Sequence, residues 1–250
     1  MVMADIMVNI KNLTKAFDGN IVLDDISINV GVGENLVVFG RSGSGKSVLL
    51  KCIIGLMIPD AGEIYIEDKN VLRLKTSELN QVRKHIGFLF QSGALYDSMS
   101  VRENLAFPLI RNFDFTLKEI EAKVLNALKM VSLEDAIDKM PSELSGGMRK
   151  RAALARSIIT EPKLMLYDEP TTGLDPLTTK EISELILELQ RKLNMTSIAV
   201  THDLICANII ADRAIFLKDS KIKYEGTIKE LTASNDIFLR NFFSTETIIS

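Results

Sequence analysis

The run GRSGSGKS at residues 40–47 spaces Gly40, Gly45, Lys46 and Ser47 as the phosphate-binding pattern G-x-x-x-x-G-K-S requires, with Arg41, Ser42, Gly43 and Ser44 between them. Glycines let main-chain amides turn inward and approach phosphate oxygens, and a helix opening behind them adds its dipole. Lys46 brings a point charge toward the outer phosphates of a nucleotide, and the Ser47 hydroxyl is placed to ligate Mg²⁺. Farther on, LMLYDEP ends an apolar run in two carboxylates, Asp168 and Glu169. Carboxylates at the C-terminal edge of a sheet lie where α/β sites form. Asp168 is expected to hold Mg²⁺ through water. Glu169, one residue on and facing differently, is expected to polarise an attacking water.

Two more strand ends carry polar groups. FLFQ ends in Gln91, whose neutral amide can sense both a metal and an attacking water. AVTHD ends in His202, which can reach a terminal phosphate; its local sequence alone fits a structural histidine as well. The other histidine, His85 in VRKHIG, reads as a surface or strand-edge residue.

LSGGMRKR at 144–151 raises a second question, because Ser145, Gly146 and Gly147 stand directly before a helical pattern. Ser145 can cap that helix and leave its first amides facing an anion. The first loop already supplies one cradle, and no second lysine-bearing loop exists. The economical solution is a second copy related by a twofold axis, each nucleotide lying between the first cradle of one chain and the Ser-Gly-Gly of the other.

These residues need a frame. Short apolar runs alternate with longer helical patterns, which predicts an α/β fold with a largely parallel sheet. VNIKNLTKAF and IVLDDISINV alternate with period two and read as antiparallel strands. ENLVVFG, GEIYIED, HIGFLFQ, KLMLYDE and TSIAVTH are further strand candidates, and SVLLKCIIGLM reads as a helix ended by the Pro and Gly of IPDAGE. The expected core spans 1–91 and 146–226, with a helical insertion at 92–145 and a helical tail at 227–250. In the insertion, Ser100 and Glu103 form a capping box, and Leu117, Ile120, Val124, Leu128 and Val131 line one face of a helix. Thr227 and Glu230 form another box in the tail, where Phe242 and Phe243 are expected to pack on the chain's own core or on a partner.

Bulk properties narrow the partners. A net charge of −3 over 250 residues argues against a nucleic-acid binder. Cys52 and Cys206 make neither a disulfide framework nor a metal quartet, which fits reduced core thiols. The opening MVMADIMVNIKN has no basic-then-apolar pattern, so no secretory leader is expected. No apolar run approaches the roughly 18–20 residues of a membrane span.

In chain order, Phe17, the loop at 40–47, Gln91, LSGG at 144–147, LMLYDEP, the GLD of Gly173–Asp175 and His202 together resemble an ABC-type ATPase subunit, a P-loop NTPase, along the whole chain. That resemblance implies ATP and Mg²⁺ as ligands and an aromatic ring, here Phe17 where Tyr is commoner, stacked on adenine. It implies base work for Glu169, a switch role for His202 and a dimer-interface position for Asp175. Met148 stands where Gln is usual. With FQSGALYDSMSVRENLAFPL and LSGGMRKRAALARSI, the chain is similar to the ATPases of Mla/Mce-type lipid transporters. This branch implies a homodimer on the cytoplasmic face of the bacterial inner membrane, bound to integral permease subunits, with Mce-domain lipid-binding proteins beyond them. Leu95 and Tyr96 are candidates for touching a permease loop, core packing being the other reading. A non-lipid cargo, or a soluble ABC ATPase outside transport, is the alternative.

Overall fold

The structure, a computed structural model, describes residues 5–41 and 43–247, without the side chains of 245–247. Ser42 of the first cradle therefore lies outside the described residues.

The chain opens with strands β1 (Ile6–Phe17) and β2 (Asn20–Gly31), paired antiparallel across the two-residue turn Asp18-Gly19. Both turn residues have positive φ, 48° and 84°, as a tight hairpin of this hand requires. Strand β3 (Asn35–Phe39) leads through the Gly-rich loop into helix α1 (Lys46–Ile53). Then come β4 (Ala61–Ile66), the short β5 (Lys69–Asn70), helix α2 (Thr76–Arg83) and β6 (Ile86–Leu89). The insertion contributes α3 (Val101–Asn112) and α4 (Leu117–Met130), and α5 (Gly146–Ile158) follows it. After β7 (Leu164–Asp168) the chain alternates: α6 (Pro176–Leu193), β8 (Thr196–Val200), α7 (Leu204–Ile210), β9 (Arg213–Lys218). It ends in β10 (Lys221–Gly226), α8 (Ile228–Thr232) and α9 (Ile237–Thr247).

Two sheets result. One is antiparallel, in the order β2-β1-β4-β5; the other runs β10-β9-β3-β8-β7-β6, parallel except for the β10 edge. Every residue of β3, β7 and β8 is buried, as expected of parallel strands covered on both faces. Their side chains alternate between two cores. Val37, Phe39, Met165, Tyr167 and Ala199 face the core shared with α3–α7. Leu36, Val38, Leu164, Leu166, Ile198 and Val200 face the core shared with α1 and the antiparallel sheet. Strand ends β3, β6, β7 and β8, on which the site depends, are thereby fixed from both sides.

Two readings of the sequence need correction. Helix α1 stops at Ile53, not at IPDAGE: Gly55 turns left-handed at φ 70° and its amide bonds the Cys52 carbonyl, so a C-terminal glycine overrides the apolar run that continues beyond it. Leu117 is 84% exposed, because it occupies the first position of α4, where the covering helices do not reach; Ile120, Val124, Leu128 and Val131 are buried.

The capping boxes at Ser100–Glu103 and Thr227–Glu230 both form. Phe242 and Phe243 pack on the chain's own core, edge-on to Phe216 at centroid distances of 4.7 and 6.0 Å. Cys52 and Cys206 are buried and unbridged, and burial pushes their thiols up to about 11 and about 12. Among the described residues no helix is long and apolar enough to cross a membrane.

Candidate functional site

The C-terminal ends of β3, β6, β7 and β8 open on one cavity of about 800 Å³. Gly40, Arg41, Gly43, Ser44, Gly45, Lys46 and Ser47 form its floor, and Phe17, Gln91, Glu169 and His202 reach it from other elements.

The floor is a turn that only glycines can build. Gly43 and Gly45 hold φ of 78° and 98°, and a Cβ on Gly40 would lie 2.7 Å from the Leu217 carbonyl oxygen. Gly45 is the N-cap of α1; no side chain caps that helix and no acidic residue occupies its first turn. Its leading amides are thus left to an anion. Lys46 is buried, its Nζ donating to the carbonyls of Gly40 at 2.8 Å and Arg41 at 3.3 Å. The same ammonium lies 3.7 Å from Glu169 Oε1.

Strand β7 presents its two carboxylates differently. Asp168, still in the strand, accepts a hydrogen bond from Ser47 Oγ at 2.8 Å. Glu169 turns left-handed, φ 50°, while its amide bonds the Val200 carbonyl of β8. Such a conformation costs a β-carbon-bearing residue of order 1–3 kcal/mol. The turn swings the Glu169 side chain out of register and into the cavity, with Oε2 2.9 Å from His202 Nδ1. A carboxylate oxygen accepts here, so Nδ1 is the donor of this contact and Nε2 is the ring nitrogen left for the cavity. A further tie, Thr171 Oγ1 to Asp203 Oδ2 at 2.8 Å, joins the segments that follow β7 and β8.

Phe17, 41% exposed, stands at the cavity rim with Lys15 Nζ 5.3 Å from its ring centre. Asp60 pins the segment before it, accepting from the Ala16 amide at 2.6 Å and from Lys15 Nζ at 2.9 Å.

The second cradle does not join this cavity. Ser145 Oγ accepts from the Met148 amide at 3.3 Å, capping α5, and Ser145 and Gly146 are exposed. None of Ser145, Gly146, Gly147 and Asp175 is among the residues that line the cavity. Asp175 instead caps α6, accepting from the Leu177 and Thr178 amides. His85 is exposed and outside the site.

The sequence reading missed five cavity residues, Val22 of β2, Val48 of α1 and Phe238, Asn241 and Phe242 of α9. The aromatic pattern of the tail signalled burial but not the surface it would cover. It also missed Lys150, whose Nζ donates to the Gln91 carbonyl at 2.7 Å.

Residues 23–172 match the sequence profile of the family described as ABC transporter. The chain is similar to the intermembrane phospholipid transport system ATP-binding protein MlaF of Haemophilus influenzae, 41% identical over 240 residues, 96% of this chain and 91% of that protein. It is 36% identical over 239 residues to the probable ribonucleotide transport ATP-binding protein mkl of Mycobacterium leprae, spanning 96% of this chain and 69% of that one. Among solved structures, the dimeric bacterial ABC transporter cassette MJ0796 aligns with a TM-score of 0.82 and 34% identity, over 89% of this chain and 99% of that chain. The same cassette as a post-hydrolysis dimer bound to ADP and Pi gives 0.81.

Proposed function

This chain belongs to the ABC transporter family and is an ATP-binding, ATP-hydrolysing subunit, and from that premise we propose that two copies drive a membrane transporter for phospholipid or a related lipid. The observation that carries the dimer is the separation of the two cradles. The loop at 40–47 lines the cavity, whereas Ser145, Gly146 and Gly147 are absent from its lining. A capped helix start that stands outside its own chain's nucleotide cavity fits the phosphates of a partner's. The dimeric cassette of the same fold supports this arrangement.

Within it, Gly40, Arg41, Gly43, Ser44, Gly45 and Lys46 bind the phosphates, Ser42 completing the loop, and Phe17 stacks on the base. Glu169 takes the proton of the attacking water, and His202, oriented by Glu169, offers Nε2 to the terminal phosphate region. Gln91 approaches the metal and the water, while Asp175 lies at the dimer interface. Ser47 Oγ and Asp168 Oδ1, already 2.8 Å apart, are hard oxygen donors suited to Mg²⁺, which takes one or two carboxylates alongside phosphate oxygens. A Mg²⁺ held by them would supply charge neutralisation at the phosphates. Lys46, close to Glu169, balances the carboxylate between catalytic events.

Closing two copies from 1:99 to 99:1 takes about 5.5 kcal/mol of preference for the closed form. Two sets of sandwiched phosphates are a reasonable source. The insertion between Gln91 and Ser145 carries that motion to integral permease subunits at the cytoplasmic face of the inner membrane, with an Mce-domain protein beyond them. The lipid assignment rests on the similarity to MlaF; the mkl relative keeps another cargo as the competing reading.

The decisive experiment purifies the tagged chain from membranes, identifies the bound permease, and follows lipid movement and phosphate release in proteoliposomes. ATP-dependent lipid transfer, lost in Lys46→Ala together with nucleotide binding, is the expected result. Transfer of a non-lipid cargo overturns the lipid assignment, and unchanged nucleotide affinity in Lys46→Ala overturns the site.

A further inference from the structure

Lys150 is 7% exposed, and its Nζ donates a hydrogen bond to the Gln91 carbonyl at 2.7 Å. No carboxylate lies within 4.0 Å of it among the described residues, so it has no ion-pair partner there. A buried ammonium without a counter-ion is costly, and a neutral side chain of the same length would fill the space more cheaply. Burial accordingly lowers the ammonium's hold on its proton, with the more distant charge of Glu169 opposing that shift.

We propose that Lys150 is a positioning residue for Gln91: its buried ammonium grips the Gln91 carbonyl and thereby sets where the Gln91 amide enters the nucleotide cavity. Two further contacts along α5 hold the same loop. Gly93, at φ 78°, passes so close to the helix that a Cβ on it would meet Ala153 Cβ at 3.2 Å. Arg156 Nη1 donates to the Ala94 carbonyl at 2.6 Å, and its guanidinium lies 5.0 Å from the Tyr96 ring centre. Lys150, Ala153 and Arg156 recur every third residue, and the loop runs alongside them from Gln91 to Tyr96. Apart from the Tyr96 ring, the holds fall on main-chain carbonyls and on a glycine. The loop is therefore tied to α5 as a backbone, leaving the Gln91 amide free to work in the cavity.

The proposal rests on Gln91 belonging to the ATP site, and its test separates the two. Lys150→Met, with Lys150→Gln as a second variant and Lys150→Arg as the conservative one, is compared with the unaltered full-length chain by hydrogen–deuterium exchange. Exchange over 91–96 should rise about tenfold in Met and Gln, the scale of a lost charge-assisted hydrogen bond, and stay protected in Arg. The strands of the core should not change. In the assembled transporter, kcat should fall about tenfold with KM within about twofold, and Lys150→Met should cost nothing more in a Gln91→Ala background. Unchanged exchange over 91–96, or full additivity with Gln91→Ala, overturns the proposal. Faster exchange in Lys150→Met beside normal turnover in Gln91→Ala upholds the grip on the loop and instead removes Gln91 from the reaction.

Discussion

Glu169 Oε2 lies 2.9 Å from His202 Nδ1 and also accepts the His202 main-chain amide, at 3.4 Å. The carboxylate thus orients the imidazole and fixes the strand end that carries it. A left-handed backbone at Glu169 makes both contacts possible, since an extended residue there would continue the alternation of β7 and point elsewhere.

Glu169→Gln keeps an oxygen for both contacts and removes the basicity. ATP binding should therefore stay within about twofold, while turnover falls by about 10²–10⁴, the usual weight of a general base. The variant should accumulate as an ATP-held dimer, read by light scattering. Normal turnover would take Glu169 out of the base role, and a monomer at saturating ATP would count against the shared site.

Asp60 links acidity to the base-stacking rim. The Ala16 amide foremost, and then the Lys15 ammonium, hold its carboxyl below the usual aspartate range. The fold therefore prefers the charged form. Its contribution is complete above the unfolded value of about 4 and disappears as pH falls through the lower folded value. Asp60→Asn should flatten the acid side of the melting temperature–pH curve. At neutral pH it should weaken nucleotide binding about threefold by loosening the segment that leads to Phe17, the scale of one lost hydrogen bond. Parallel acid limbs for the two proteins would refute the link.

The parts of the site legible from sequence are those where local backbone demands dictate residue type. The loop at 40–47 needs Gly40, Gly43 and Gly45 for its turn, and Asp168 must end a strand to meet Ser47, so pattern and geometry coincide. The turn at Glu169 was hidden because it depends on the Val200 carbonyl of a neighbouring strand. Lys150 was hidden because it holds a carbonyl 59 residues away, and a carbonyl leaves no residue signature. Periodicity placed the α4 stripe correctly except at Leu117, since a repeat marks a face but not where the covering surface stops. The same limit applies to α1, whose apolar run outlasts the helix.

The tail gives the last prediction. Phe39 and Phe216 stack at 4.9 Å in the middle of the core, and Phe242 and Phe243 close over both edge-on. Phe243 is 9% exposed, whereas Phe242 is half-buried and lines the nucleotide cavity. The two rings, adjacent in sequence, should therefore separate by phenotype. Phe243→Ala removes core volume and should lower unfolding free energy by about 3 kcal/mol, the low end for a buried phenylalanine. Phe242→Ala should cost less in stability and change nucleotide affinity more, because its ring forms part of the cavity wall. Denaturant titration and nucleotide binding on the two variants decide this. A loss under about 1 kcal/mol in Phe243→Ala would mean that α9 does not rest on its own core in solution, and identical affinities in Phe242→Ala and the unaltered chain would mean that the tail stands clear of the nucleotide.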